Sequence, residues 1–330
     1  MNGMRVLVTG ATGFLGGHLV RRLQQTGYEP VALGRNPEKL AALARLGVAT
    51  VRADLSNTDC INAALPVHVD AIVHAAALSS PWGARENFMA ANVMGTDQVI
   101  AIARKLQARR FILISTPSVY FQFGDQHLLS EDTPLPKPVN AYAETKRLAE
   151  IAVLKCTELY PIVLRPRGLY GKGDTTLVPR LVRAARNKAL PLMRNGQAAT
   201  DLTHVDDVVD AIIAALNTND QMEQRLFNIS GGVALNVRAV AEQVACHFDV
   251  QIRWRRFPVA LVLAYARASE IAARLRSDTP EPAITAYGVG LFAYTQTLNI
   301  EAASRYLNWR PSTSFAEGLE KTFHTQKRSD

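Results

Sequence analysis

A strand that runs into a helix through three glycines constrains this chain more than any other stretch. Residues 4–20 read Met-Arg-Val-Leu-Val-Thr-Gly-Ala-Thr-Gly-Phe-Leu-Gly-Gly-His-Leu-Val. The first half is a β-branched run of the kind found in buried parallel strands. In the second half Phe14, Leu15, Leu19 and Val20 fall at helical spacing. Gly10 allows a tight turn, Gly13 a close approach by a ligand, and Gly16 close packing of helix on strand. Such a turn points backbone N–H groups and the positive helix end at one spot, which suits a pyrophosphate. Glycines also mark ordinary turns, but the strand-to-helix context favours a dinucleotide. We assign Gly10, Thr12, Gly13, Phe14, Leu15 and Gly16 to this cradle.

The chain has 330 residues, 48% hydrophobic and 20% charged, which fits a large α/β core with a smaller appended unit. Its three cysteines, Cys60, Cys156 and Cys246, are scattered without metal-ligand spacing, so they read as reduced core thiols and no metal is expected. No signal peptide precedes the first strand and no run of about 18 apolar residues occurs. The expectation is a soluble cytoplasmic protein. The net charge of +8 is compatible with an inert basic surface, with attraction to an anionic cofactor or acyl carrier, or with contact to acidic lipid. No nucleic-acid motif accompanies it, so nucleic acid is not an expected partner.

Strands are predicted at Tyr28–Leu33, Ala49–Ala53, Ala71–His74, Arg110–Ser115 and Pro161–Leu164. The second ends near Arg35, where dinucleotide folds often place an acidic residue for the adenosine ribose. A guanidinium there can clamp a 2′-phosphate, so NADP(H) is favoured and NAD(H) stays open; the alternative is a solvated loop arginine. Asp54, followed by Leu55, stands where a carboxylate can reach the adenine amino group, or it caps the next helix in competition with Ser56 and Asn57. Ala76 and Ala77 leave room for a ligand beyond the fourth strand, whereas His74 reads as packed. Ser80 and Trp82 lie in the following loop, beside the expected nicotinamide pocket. A long helix is predicted from Arg85 to Leu106 and another over Thr176–Ala189. The strand at Arg110–Ser115 delivers Thr116-Pro-Ser118-Val-Tyr120. Downstream, Tyr142 and Lys146 share one helix face at i, i+4. Tyr142 is the predicted general acid/base, with Lys146 favouring its phenolate and reaching the nicotinamide ribose, and Thr116 holding the substrate oxygen. Ser115 or Ser118 are substitutes for Thr116.

The segment Val259–Leu275 carries only a narrow charged stripe and a broad apolar remainder. It is readable as a buried core helix, a wall of a hydrophobic substrate cavity, a partner surface or a membrane-surface helix.

Thr9-Gly10-x-x-Gly13-x-x-Gly16, Asn92-Val-Met-Gly-Thr96, Tyr142-x-x-x-Lys146 and Arg165-Pro166-Arg167-Gly-Leu169-Tyr-Gly171 together resemble the extended short-chain dehydrogenase/reductase superfamily. The segments Ser115–Val119, Leu164–Arg167 with Leu177–Arg180, and Pro258–Tyr294 look most like its 3β-hydroxysteroid dehydrogenase branch and the bacterial 2-alkyl-3-oxoalkanoate reductases. The resemblance implies a Rossmann-type doubly wound parallel sheet in residues 1–170 plus parts of 200–235, and a smaller α/β substrate-binding unit mainly in 171–330. It implies hydride transfer on a 3-oxo or 3-hydroxy group of a hydrophobic, carrier- or CoA-linked or free substrate. It places Asn92, Pro166 and Leu169 at the cofactor and leaves Ser80, Trp82, Ser118, Tyr120, Arg167 and Val178 for the substrate. His204-Val-Asp206-Asp207 is expected to cap a helix. The family leads us to expect a homodimer through the helices at Arg85–Leu106 and Tyr142–Lys155. Pro117-Ser118 stands where sugar-nucleotide dehydratases place Asp-Glu, which removes their acid/base pair. A nucleotide-sugar epimerase and a non-catalytic NADP(H) sensor are the competing readings; the Tyr–Lys pair counts against the sensor.

Overall fold

A computed structural model describes residues 3–55, 65–187, 189–276 and 280–323. Ser56, Asn57 and Cys60, named above as caps and core thiol, lie outside these residues, as does Lys188 of the predicted helix at Thr176–Ala189.

Seven strands form the main sheet: β1 (Arg5–Thr9), β2 (Glu29–Gly34), β3 (Ala49–Arg52), β4 (Ala71–His74), β5 (Arg110–Ile114), β6 (Pro161–Pro166) and β7 (Leu226–Ile229). Their order is β7-β6-β5-β4-β1-β2-β3, with every neighbouring pair parallel. Alternation along each strand feeds two cores. Val6 and Val8 enter one, with Val73 and Ile112, while Leu7 enters the other, with Ile72, Phe111 and Leu113. The helices α1 (Phe14–Gln25), α2 (Pro37–Ala44), α3 (Gly95–Lys105), α4 (Ala141–Leu154) and α5 (Val205–Leu216) connect or cover these strands. The chain winds outward in both directions from the β1–β4 pair, so the crevice for a ligand opens at the carboxyl ends of β1 and β4.

Several elements depart from expectation. The helix predicted as continuous over Arg85–Leu106 is an α-turn at Arg85–Phe88, a wide π-helical segment at Met89–Met94, and then α3. The extra residue in a π turn rotates one side chain out of the helical series, and here Asn92 is the buried polar residue within it. The predicted Thr176–Ala189 helix spans Val178–Asn187. Asp174 caps that helix, its carboxylate accepting from the amides of Thr176, Leu177 and Val178 at 2.7–3.2 Å. Cys156 is buried as expected, but Cys246 is exposed at the surface of its helix, so it is not a core thiol.

The rest of the chain builds smaller units. A four-stranded sheet combines Leu235–Asn236, Ala199–Thr200, Gln296–Leu298 and Gln126–Leu129. Tyr170, Val178, Leu319 and Phe323 share a separate apolar core. The helices α6 (Val259–Arg274) and α7 (Ala286–Ala293) pack together through Val259, Val262, Leu263 and Ala266 against Val289 and Ala293. α6 is not a buried core helix: only Ala266 and Ala273 are buried along it. Apolar composition alone misassigns it, because the packed face needs only one side of the helix.

Candidate active site

The glycine turn has the shape a pyrophosphate requires. Gly10 has φ +69°, and a Cβ there would lie 2.7 Å from the Ala76 amide nitrogen, so the β1 and β4 ends approach backbone to backbone. A Cβ on Gly16 would lie 2.3 Å from the Gly10 carbonyl oxygen, so a side chain would push α1 off the strand. Gly13, the N-cap of α1, would meet only that same carbonyl, at 3.1 Å, and its outer face is open. No side chain caps α1 and no acidic residue occupies its first turn, which leaves the Phe14 and Leu15 amides and the helix dipole to an anion. These residues fit a dinucleotide pyrophosphate.

At the adenosine end Arg35 reaches Asp54, Nη1 to Oδ2 3.6 Å, with 78% of the arginine side chain exposed. Sequence reasoning missed a neighbouring cation. Lys39, on the first turn of α2, donates from Nζ to the Thr12 carbonyl at 3.0 Å. That places two positive groups around the rim where a 2′-phosphate would sit. Its signal was the Asn36-Pro37 start, with the Asn36 side chain accepting from the Lys39 amide at 2.9 Å and so fixing where the helix begins.

His74 is structural. Its ring nitrogens meet the Thr9 and Thr96 hydroxyls at 2.7 and 3.1 Å, and burial pushes its pKa down to about 3, so it stays neutral. Thr9 also accepts from the Ala76 amide at 3.2 Å, tying β1 to the start of the small-residue loop at Ala76 and Ala77. Asn92 grips the same loop further on. Its Oδ1 accepts from the Leu78 amide at 2.7 Å, and its Nδ2 donates to the Leu78 carbonyl at 3.2 Å and to Thr145 Oγ1 at 3.1 Å. One side chain from the π turn thus joins the loop after β4 to α4. Ser80 closes the next turn, donating to the Trp82 carbonyl at 2.8 Å.

Five hydroxyls from four parts of the chain, those of Ser79, Thr116, Ser118, Tyr142 and Tyr287, meet beyond β5. Asn140 caps α4, accepting from the Ala143 amide at 2.9 Å, and so sets Tyr142 in the first turn. The Tyr142 hydroxyl bonds to Ser79 and Thr116, and its burial raises the phenol above its ordinary pKa. Thr116 in turn donates to Ser118 Oγ at 3.0 Å, and Ser118 shares a 2.6 Å bond with the hydroxyl of Tyr287 on α7. Lys146, one turn beyond Tyr142, is buried and donates to the Ile114 carbonyl at 2.6 Å. Burial lowers it to about 8, against the pull of Glu150, so it remains protonated at neutral pH. Tyr287 was not foreseen: no local pattern marks a tyrosine that arrives from the far end of the chain.

The other predicted substrate residues divide. Trp82 lines a cavity of ≈ 190 Å³ together with Asn140, Arg267, Glu270, Arg274 and Tyr287. Arg167 is buried; its Nη2 donates to Thr200 Oγ1 at 3.0 Å, while Nε makes no hydrogen bond. Burial lowers its pKa, and Tyr287 and Asp201 oppose the shift. Pro166 ends β6, and Leu169 is half-buried just beyond it. Two assignments are corrected. Tyr120 is fully buried; its hydroxyl donates to Asn228 Oδ1 at 3.0 Å and accepts from Arg165, so it belongs to the core. Val178 is buried and packs with Tyr170 and Leu319 in the C-terminal core. Ser115 is likewise spent on Glu150 at 2.5 Å and is no substitute for Thr116; Ser118 is the hydroxyl beside it. His204 caps α5, accepting from the Asp206 amide, and Asp207 binds Ser312 and Thr313.

The parallel sheet, the glycine cradle and the Tyr–Lys pair define an NAD(P)-dependent oxidoreductase acting on CH–OH or C=O groups. The model of the NAD dependent epimerase/dehydratase family matches residues 6–230, and the chain belongs to that family, within the extended short-chain dehydrogenases/reductases. It is 32% identical over 337 residues to a 2-alkyl-3-oxoalkanoate reductase of Stenotrophomonas maltophilia, covering 96% of this chain and 98% of that one. It is 28% identical to the decarboxylating sterol-4-alpha-carboxylate 3-dehydrogenase of Saccharomyces cerevisiae, covering 96% of each. Among solved structures, MoeE5 in complex with UDP-glucuronic acid and NAD superposes with a TM-score of 0.74 at 25% identity, covering 99% of this chain and all of that one.

Proposed function

We propose that this protein is an NADP(H)-dependent reductase, in the reverse direction a dehydrogenase, for the 3-oxo group of a hydrophobic substrate such as a long-chain β-oxo acid or a steroid-like ketone. The observation that carries the reading is the hydroxyl chain Tyr142–Thr116–Ser118–Tyr287 beside buried Lys146. When bound, the dinucleotide supplies the hydride. Gly10, Gly13 and the α1 amides would hold its pyrophosphate, Arg35, Lys39 and Asp54 its adenosine end, and Lys146 its ribose.

A ketone that gains hydride develops charge on oxygen and needs a proton. Tyr142, kept protonated by burial, holds that proton at its hydroxyl. Thr116 orients the same oxygen. The ammonium of Lys146 makes loss of the Tyr142 proton less costly, since a positive neighbour favours the phenolate. Tyr287 and Ser118 keep the Thr116 hydroxyl from rotating away. Replacing Tyr287 with phenylalanine removes one neutral hydrogen bond, about 0.5–1.5 kcal/mol, and should lower kcat about 2- to 10-fold. KM and NADPH affinity should hold; steady-state kinetics with fluorescence titration of NADPH checks this, and an unchanged kcat removes Tyr287 from the site.

Arg35→Ala tests the cofactor preference. Loss of a hydrogen bond to a charged group, about 1.5–3 kcal/mol, should weaken NADPH about 10- to 100-fold and leave NADH nearly unchanged. Equal losses for the two nucleotides remove the phosphate clamp. A homodimer through the Arg85–Leu106 and Tyr142–Lys155 helices is part of the same proposal, supported by the exposed apolar side chains of Met94, Leu148 and Ile151.

The likeness to a protein bound to UDP-glucuronic acid favours a second reading, a nucleotide-sugar epimerase. Spectrophotometric NADPH consumption with long-chain 3-oxo acids, steroid ketones and sugar nucleotides separates the two. An epimerase keeps its cofactor and consumes none; the proposed reductase consumes it with the 3-oxo compounds.

A further inference from the structure

The helix α6 faces the wrong way for a soluble helix. Its charged residues turn toward the cavity rim, where Arg267 lies over the Phe123 ring at 5.7 Å and Arg274 over Trp82 at 5.3 Å. Glu270 Oε1 accepts from the Ala286 amide at 2.8 Å, which ties α6 to α7. Val259, Val262, Leu263 and Ala266 are used in the α6–α7 contact. What remains outward is Leu261, Ala264, Tyr265, Ala268, Ile271, Ala272 and Leu275, an unbroken apolar stripe at i, i+3, i+4 and i+7 spacing. Leu261 is 64%, Tyr265 64%, Ile271 60% and Leu275 83% exposed. A contiguous apolar stripe in water costs free energy, and one of this kind marks a docking face.

Charge identifies the occupant. Residues 253–276 hold six arginines and one acid: Arg267 and Arg274 lie over rings at the cavity rim, Arg253, Arg255, Arg256 and Arg276 are exposed, and Glu270 is engaged with the Ala286 amide. Arg255 and Arg256 are exposed on the strand leading into the helix. A second copy would bring the same positive charge against this face, so its arginines would repel. An anionic bilayer offers both an apolar layer for the stripe and phosphates for the guanidiniums. No described helix is long and apolar enough to cross a membrane, so the contact is with the surface.

We propose that α6 docks this protein on anionic phospholipid membranes, with Leu261, Tyr265, Ile271 and Leu275 in the interface and the exposed Arg253, Arg255, Arg256 and Arg276 at its two ends on the headgroups. The stripe shares its helix with Arg267 and Arg274 at the cavity, so a membrane-borne hydrophobic substrate would meet the cavity at the bilayer surface. That delivery rests on the substrate reading above; the docking does not.

Sedimentation of the full chain with vesicles tests it, without cofactor or substrate, so its outcome is independent of the reductase reading. Vesicles of phosphatidylcholine mixed with phosphatidylglycerol should carry the protein down, and phosphatidylcholine alone at least about ten-fold less well. The Leu261→Glu/Leu275→Glu variant should lose at least about ten-fold in partitioning to the mixed vesicles. Its thermal transition should match the wild type, because both positions are exposed; should it unfold, Ile271→Glu carries the same test. The proposal is overturned by wild-type protein that stays in the supernatant, by equal binding to the two vesicle types, or by equal binding of the variant. It is also overturned if the variant changes only the oligomeric state in light scattering, which would make the face a contact between copies.

Discussion

Tyr142→Phe should lower kcat for ketone reduction by about 10²- to 10⁴-fold, the range general acid catalysis contributes, while NADPH binds almost as tightly as before. The phenol is the one proton donor among the hydroxyls that also stands one helical turn from a buried ammonium. Thr116 and Ser118 are weaker acids; the Thr116 hydroxyl donates to Ser118, which shares a bond with the Tyr287 hydroxyl. Removing the hydroxyl leaves the ring contact with Phe88, centroids 6.5 Å apart, so the fold should survive. Single-turnover kinetics beside NADPH titration reads the effect, and near-normal turnover refutes the role. Lys146→Met should follow the same direction, since it removes the charge that favours the phenolate.

Glu150→Ala should cost about 3–5 kcal/mol of stability, read as a lower denaturant midpoint. Glu150 and Arg165 are both almost wholly buried and paired at 2.8 and 2.5 Å. Ser115 donates to the same carboxylate, and the Arg165 guanidinium lies 4.6 Å over the Tyr120 ring. Truncating the acid strands a guanidinium between β6 and α4, with the Ser115 and Tyr120 hydroxyls losing their order. The Glu150→Leu/Arg165→Met pair should regain most of the loss, because a desolvated ion pair is worth little beyond an apolar replacement. A loss below about 1 kcal/mol for Glu150→Ala would show that water reaches the arginine.

Much of this architecture was legible because its signals are local. Gly10, Gly13 and Gly16 act within one turn, and Tyr142 and Lys146 within one helical turn, so spacing alone reports them. His74 and His204 read from the sequence as packed and capping groups, and both are. What failed depended on partners distant in sequence. Tyr120 follows the Thr116 turn and reads as a pocket wall, yet Arg165 and Asn228 from β6 and β7 draw its hydroxyl into the core. Tyr287 enters the site only because α7 packs beside it, with Phe121 at a ring distance of 5.0 Å. The π turn at Met89–Met94 leaves no composition signal, and α6 shows how apolar content fails to say which way a face points.

The most direct test uses NADPH carrying deuterium at its transferable nicotinamide position, with a long-chain 3-oxo acid as substrate. One deuterium should enter the new carbinol carbon for each NADPH consumed, and with Tyr142→Phe the label should enter about 10²- to 10⁴-fold more slowly. NADPH left unconsumed, with unlabelled sugar nucleotides interconverting instead, would contradict the account.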